Sequence, residues 1–222
     1  AIGAPAAAEQ IVLRGGQVMF ARVVSSLGTS VFAAHQVGMN VLSLSFMPGQ
    51  AFAMAATTLV GQRLGAGKPD EAEDRAYATR DVGLSVGLLM ASVFYFLGRP
   101  LSLLYTNDPA VLDTTSSLLK LYALIQPFQS TQFILAGALR GAGDSKWPLY
   151  ATLAGMWGSR VATAWVLVAV AGWGVRGAWI AMGIDQVVRA FVISARFRSG
   201  RWKKMPARAK LPDGATDAAA PA

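Results

Sequence analysis

The residues from Val31 to Val60 form a run of thirty positions without Asp, Glu, Lys or Arg. A helix of about 20 apolar residues crosses the hydrocarbon core of a bilayer, so this run is long enough to span one. Charged residues make up 14% of the whole sequence, against about 25% in an ordinary soluble domain, and 54% of the residues are hydrophobic. The sequence therefore predicts an all-α integral membrane protein.

Six stretches have the length and apolarity of a membrane span, and they lie at residues 7–29, 32–61, 81–105, 116–139, 147–172 and 177–197. Six buried helices in a soluble protein of 222 residues would leave almost no chain for a polar surface. We therefore predict one six-transmembrane-helix lobe over residues 1–204. The Ala-, Pro- and Asp-rich residues 205–222 are predicted to be a disordered cytoplasmic tail. The chain lacks an initiator Met, so we expect it to be part of a longer protein.

Lysine and arginine are concentrated in every second connection between the predicted spans. The second connection, the fourth connection and the tail hold thirteen cations, whereas the first, third and fifth connections hold three. The positive-inside rule places the first group in the cytoplasm, with both termini, as in a bacterial-type plasma (inner) membrane. The cations behind the net charge of +8 are thus distributed over alternate connections. A nucleic-acid-binding surface would not recur at every second loop, so the predicted partner is the lipid bilayer and not a nucleic acid.

The stretch "LVGQRLGAGKP" after the second span has the composition of a phosphate-binding loop. Five residues separate Gly61 from Gly67 where that motif has four, and Pro69 stands in place of the hydroxyl residue. We interpret the stretch as a helix end, because Gly65 and Gly67 can adopt the left-handed conformation that closes a helix. The stretch "LRGAGDSK" after the fourth span repeats the pattern. Two such ends favour the paired elements of a transporter.

Four segments together resemble the multidrug and toxic compound extrusion (MATE) family, and they are "GAPAAAEQ", "LVGQRLGAG", "ALRGAGDSKWP" and "DQVVRAFVISARFRSGRWKK". The resemblance covers residues 3–204 and is to the C-terminal half of such a protein. It implies twelve helices in two six-helix lobes, with organic cations or lipophilic drugs bound between them. It also implies drug export by alternating access, driven by proton or sodium antiport, with the N-terminal lobe of the same protein as partner.

Other functions are weaker alternatives. A lipid-linked oligosaccharide flippase has a related architecture but should need more cations facing its cavity to bind pyrophosphate. A membrane-embedded enzyme is disfavoured because the sequence shows no catalytic constellation and no metal-ligand pattern. A membrane scaffold without transport activity is disfavoured by the charges inside the spans.

The coupling ion is inferred from two departures from the family pattern. The sodium-coupled branch places carboxylates at the positions of Leu13 and Gln129, the latter fifteen residues before Asp144. A neutral amide binds sodium more weakly than a carboxylate and cannot accept a proton. We therefore favour protons over sodium as the coupling ion, with coupling through a carboxylate of the other lobe. We predict no bound cofactor.

Charged residues inside the spans are candidates for the ion or substrate pathway because they are costly there. Asp185 and Arg189 have the i, i+4 spacing of an ion pair, which acts either as a switch facing the cavity or as a structural lock. Glu9 and Arg14 are five residues apart and are predicted to face different neighbours. Arg160 is predicted to pair with an acid elsewhere in the bundle.

The remaining candidates lie in the second span. His35 is the only histidine, and with Gln36 and Asn40 it either relays protons or forms hydrogen bonds between helices. Met47 and Met54 face either a drug cavity or lipid. Prolines are predicted to interrupt the second and fourth spans, and these are Pro48 and Pro127. Tryptophans near span ends are predicted to be interface anchors, and these are Trp147, Trp173, Trp179 and Trp202.

Overall fold

The computed structural model describes residues 3–204, with side chains from Glu9 onward, and this part of the chain is helical without a strand. The seven helices are α1 (Gly3–Ser25), α2 (Thr29–Gly65), α3 (Pro69–Leu103), α4 (Pro109–Ala123), α5 (Gln126–Gly141), α6 (Lys146–Val170) and α7 (Gly174–Arg198), and a 3₁₀ turn follows at Arg201–Lys204. The predicted all-α fold class is confirmed. The predicted tail, residues 205–222, lies outside the described residues.

The helices form six rods, because α4 and α5 follow one another with only Leu124 and Ile125 between them. The connections alternate between two ends of the bundle, which we name the Gly67 end and the Asn107 end. Residues 66–68, 142–145 and 199–200 lie at the Gly67 end, and residues 26–28, 104–108 and 171–173 lie at the Asn107 end. Three helices, α3, α6 and α7, are each long and apolar enough to cross a membrane.

Proline has different effects in the two spans where interruption was predicted. Pro48 lies inside α2, which continues as one helix. Pro127 lies in the first turn of α5, directly after the break that divides the fourth rod. A proline in the first turn removes no helical hydrogen bond, because the N–H there has no partner in the helix.

The helix ends at Gly67 and Gly143 have the same construction, as the repeated sequence predicts. Both glycines have positive φ, at 73° and 84°. The Lys68 N–H donates to the Arg63 carbonyl at 2.9 Å, and the Asp144 N–H donates to the Leu139 carbonyl at 2.8 Å. These bonds satisfy carbonyls that the end of a helix leaves unpaired. The stretch that resembles a phosphate loop is therefore a helix end.

Helices α2 and α5 run parallel and pack closely through small residues. Gly137 lies against the backbone of Ala53, and Gly141 lies against the backbone of Thr57. A Cβ at either glycine would overlap that backbone. The Thr57 hydroxyl donates to the Gly137 carbonyl at 2.8 Å across the interface. Small residues at four-residue spacing are the usual means of close helix packing in membranes.

Two tryptophans that were predicted to be interface anchors are core residues instead. Trp179 and Trp202 are both 0% exposed, so that prediction is wrong for them. Each indole N–H has an internal acceptor, which removes the reason to remain near water. The Trp179 N–H donates to His35 at 3.2 Å, and the Trp202 N–H donates to the Phe197 carbonyl at 2.8 Å. Trp173 remains 57% exposed at the Asn107 end.

The turn after α7 is attached to the start of α3. The Trp202 ring stacks on Phe197, with ring centroids 4.7 Å apart. The Lys203 ammonium lies 2.9 Å from the Asp70 carboxylate and also pairs with Glu73. Hydrogen bonds to Asp70 and then to Glu73 raise the pKa of Lys203. The end of the described chain is therefore fixed to the Gly67 end of the bundle.

Candidate functional site

A buried triad of charges joins α6 and α7. The predicted Asp185–Arg189 ion pair is present, with Arg189 Nη2 2.7 Å from Asp185 Oδ2 and Arg189 Nε on the other oxygen. Arg160 of α6 is a second cation, with its Nη2 2.8 Å from Asp185 Oδ2. Arg160 was predicted to pair with an acid, and Asp185 is that acid. The sequence could not identify it, because the two residues lie on different helices.

The triad is enclosed within the lobe. Asp185 is 0% exposed, and both arginines are 6% exposed. Gly155 makes room for the pair, since a Cβ there would overlap Asp185 and Arg189. The Arg160 guanidinium also lies 5.5 Å from the centre of the Phe20 ring, a cation–π distance. Of the two alternatives for Asp185 and Arg189, this geometry fits a structural lock better than a switch that faces a cavity.

His35 links α2 to α7. Its Nδ1 accepts the hydrogen bond from Trp179, so Nδ1 carries no proton and the neutral ring holds its proton on Nε2. The ring is 4% exposed and lies edge-on to Phe20. Gln36 and Asn40 are exposed and lie away from this contact. The hydrogen bond between helices is therefore present for His35 alone.

Glu9 and Arg14 have different neighbours, as their spacing predicts. The Glu9 carboxylate accepts from Arg140 Nη2 at 2.7 Å and from the Thr152 hydroxyl at 3.2 Å. It thereby joins α1 to α5 and α6 near the Gly67 end. Arg14 is exposed and donates to the Gln17 side chain at 3.4 Å.

Helix α5 carries three glutamines whose side-chain oxygens are buried without a hydrogen-bond partner in the described part of the chain. They are Gln126, Gln129 and Gln132. The sequence singled out Gln129 alone, which is 1% exposed. A buried carbonyl oxygen without a donor calls for a water or a further polar group. Within residues 3–204, no cluster of three or more His, Cys, Asp or Glu side chains could hold a metal ion.

The exposed faces of the helices divide into two kinds. Exposed residues on α2 are mostly polar or Met, namely Gln36, Asn40, Ser43, Met47, Gln50, Met54 and Thr58, with Leu44 and three alanines exposed beside them. The exposed faces of α3, α6 and α7 are mainly apolar, although α3 also exposes Ser85 and Ser92, and they include Val82, Leu89, Phe96, Trp165, Val166, Ile184, Val187 and Phe191. Lipid tails offer no hydrogen bonds to polar side chains, so a surface that faces lipid should be apolar. The exposed faces of α3, α6 and α7 meet this requirement. The α2 face suits a water-lined cavity.

Comparison with known proteins agrees with this architecture. Residues 5–166 match the MatE family model. The probable multidrug resistance protein NorM of Thermotoga maritima is 32% identical over 203 residues, which are 91% of this chain and 44% of that protein. The multidrug resistance protein MdtK of Edwardsiella ictaluri is 34% identical over 182 residues, 80% of this chain and 40% of that protein. The chain thus spans less than half the length of these relatives.

Solved structures show the same fold. An outward-facing multidrug resistance MATE family transporter of the MOP superfamily superposes with a TM-score of 0.84 at 18% identity, over 90% of this chain and 44% of that one. The eukaryotic MATE transporter AtDTX14 superposes with a TM-score of 0.81 at 23% identity, over 91% of this chain and 46% of that one. The fold is therefore one six-helix lobe of the two-lobe transporter architecture. The chain belongs to the MATE family of integral membrane proteins.

Proposed function

We propose that this chain is one lobe of a secondary active multidrug exporter that works by alternating access. The observation that carries the proposal is the exposed polar face of α2, which includes Gln36, Asn40 and Gln50. A face of this kind is costly against lipid but suits a cavity at the interface of two lobes. The second lobe is the N-terminal part of the same protein, in keeping with relatives more than twice as long.

The proposed substrates are organic cations or lipophilic drugs. Met47 and Met54 are 76% and 72% exposed on the polar face of α2. Methionine side chains are flexible and polarizable, so they repack around ligands of different shape. Amides on the same face supply hydrogen bonds without a fixed charge. The relatives named multidrug resistance proteins support the same substrate class.

The arrangement of cations favours drug export over lipid-linked oligosaccharide flipping. A flippase would use cavity cations to bind pyrophosphate, and the candidate residues for that role are Arg14, Arg22, Arg160 and Arg189. Two of them, Arg160 and Arg189, are buried on Asp185. Arg14 and Arg22 remain exposed on α1. Two cations on one helix are few for a pyrophosphate site.

We also propose proton coupling rather than sodium coupling. Leu13 and Gln129 occupy the positions where the sodium-coupled branch has carboxylates. Gln129 has a buried neutral oxygen, which is a weaker sodium ligand than a carboxylate. The proposed location is a bacterial-type inner membrane, with the Gly67 end in the cytoplasm.

The export proposal predicts that the α2 face is needed for transport but not for folding. In the natural full-length protein, Asn40→Leu should reduce dye export from proteoliposomes several-fold, because it removes an amide from the cavity surface. Phe191→Leu is the matched control, since Phe191 is 75% exposed on an apolar face.

The 222-residue chain alone should export no dye, because half the cavity would be missing. Full activity of Asn40→Leu, or concentrative export by this chain alone, would contradict the two-lobe proposal.

The proposed topology predicts which loops can be labelled from each side of the membrane. The 222-residue chain has no cysteine, so a single cysteine introduced into it is the only labelling site within these residues. We expect cysteines at Gly67 and Ala207 to react with an impermeant maleimide only from the cytoplasm, and one at Asn107 only from outside. Labelling of Gly67 and Asn107 from the same side would exclude the six-span topology.

A further inference from the structure

A cleft of about 500 Å³ opens between α3 and α4 near the Asn107 end. Its lining residues are Tyr95, Phe96, Arg99, Asp113, Ser116, Ser117 and Lys120. None of these residues belongs to the buried triad or to the polar face of α2, so the proposed export mechanism does not use the cleft. Its lining combines cations, hydroxyls and exposed aromatic rings.

The polar side of the cleft carries a net positive charge. Arg99 Nη1 pairs with Asp113 Oδ1 at 2.8 Å, which leaves the other N–H groups of the guanidinium available. The Lys120 ammonium lies 5.9 Å from the centre of the Tyr95 ring and forms no ion pair within residues 3–204. Two cations and one carboxylate give the cleft a charge of +1. Lysine, arginine and hydroxyl donors together are the groups that bind a phosphate.

The apolar side of the cleft continues down α3 into the membrane. Phe96 is 76% exposed, and exposed apolar residues recur every seven positions along that face at Val82, Leu89, Phe96 and Leu103. Seven residues are close to two helical turns, so these side chains form one strip. From Phe96 to Val82 the strip is roughly 21 Å long at 1.5 Å per residue, more than half the ~30 Å hydrocarbon core.

We propose that this cleft binds the phosphate of an anionic phospholipid in the leaflet at the Asn107 end. The headgroup lies between Lys120 and Arg99, and an acyl chain lies along the strip from Phe96 to Val82. Lys120 extends along the protein surface so that its ammonium reaches the headgroup region, as long basic side chains do at membrane interfaces. Inorganic phosphate would use the cations but not the strip, and the strip therefore points to a lipid.

Native mass spectrometry of the natural full-length protein in detergent tests this proposal, with phosphatidylglycerol, phosphatidylcholine and inorganic phosphate as probes. Lys120→Gln should weaken phosphatidylglycerol binding about tenfold, the effect of one charge-assisted hydrogen bond. Lys120→Arg should keep most of it. Arg176→Gln is the matched control, because it removes an exposed cation at the same end but outside the cleft. It should leave binding unchanged.

A second variant separates lipid from free phosphate. Phe96→Gln should weaken phosphatidylglycerol binding while it leaves any phosphate binding unchanged, because only the lipid uses the strip. The proposal is overturned if Lys120→Gln and Arg176→Gln have equal effects, or if phosphatidylcholine binds as tightly as phosphatidylglycerol. It is also overturned if inorganic phosphate displaces the lipid and Phe96→Gln has no effect. The Lys120 and Phe96 variants should melt at the same temperature as the unmodified protein, because both side chains are exposed.

Discussion

Asparagine in place of Asp185 is expected to destabilise the lobe by about 3–5 kcal/mol, the usual effect of removing one partner from a buried ion pair. Asp185 is the only acid that pairs with Arg160 and Arg189 in the described part of the chain. The variant would leave two guanidinium groups buried in the membrane without an anion. Folded yield and melting temperature in detergent measure the effect. The fraction of the Asp185→Asn variant that folds should show the same dependence of export on the driving ion as the unmodified protein.

Two matched variants make this result interpretable. Asp81→Asn removes an acid that is 60% exposed and paired with Arg80, so it should change stability by no more than about 1 kcal/mol. Arg160→Gln removes one of the two cations and leaves the Asp185–Arg189 pair neutral, so it should be milder than Asp185→Asn. If Asp185→Asn melts at the same temperature as Asp81→Asn, the triad does not stabilise the lobe.

The second large effect concerns the driving ion. In proteoliposomes that contain the natural full-length protein, a proton gradient alone should drive dye export, and a sodium gradient alone should not. Leu13 and Gln129 leave this lobe without the paired carboxylates that make dehydration of sodium favourable. Gln129→Ala should therefore reduce proton-driven export only a few-fold. The assay measures dye export under gradients imposed separately.

Gln132→Ala is the control for Gln129→Ala, since both amides lie on α5 and both have buried oxygens without a partner among the described residues. Similar small effects of the two variants would indicate general packing in this helix. The inference of proton coupling fails if a sodium gradient alone drives export and Gln129→Ala abolishes that export while Gln132→Ala does not.

Most of the fold follows from features that the sequence displays directly. The thirty-residue run from Val31 to Val60 predicts a long uncharged helix, and it lies within α2. The Gly-Ala-Gly endings at Gly67 and Gly143 are local signals, and local signals predict helix ends well. Pro69 and the acidic residues after it begin α3 well before the predicted span, because a helix continues through polar sequence where capping favours it.

The parts that sequence reasoning missed depend on contacts between distant residues. Spacing along one helix predicts the Asp185–Arg189 pair, but only packing of α6 against α7 brings Arg160 to the same carboxylate. The burial of Trp179 also depends on a distant residue, because its indole N–H donates to His35 on another helix. No local pattern distinguishes Pro48, which α2 accommodates, from Pro127 beside a break. Tertiary contacts decide the first two cases.

The attachment of the final turn to α3 has a practical consequence for protein engineering. Trp202 fills the core and Lys203 bridges to Asp70, so residues 201–204 belong to the folded unit although they follow the last long helix. A reporter or affinity tag fused directly after Arg198 would remove a buried indole and an ion pair together. Cloning boundaries should therefore lie beyond Lys204, where an added domain leaves both contacts in place.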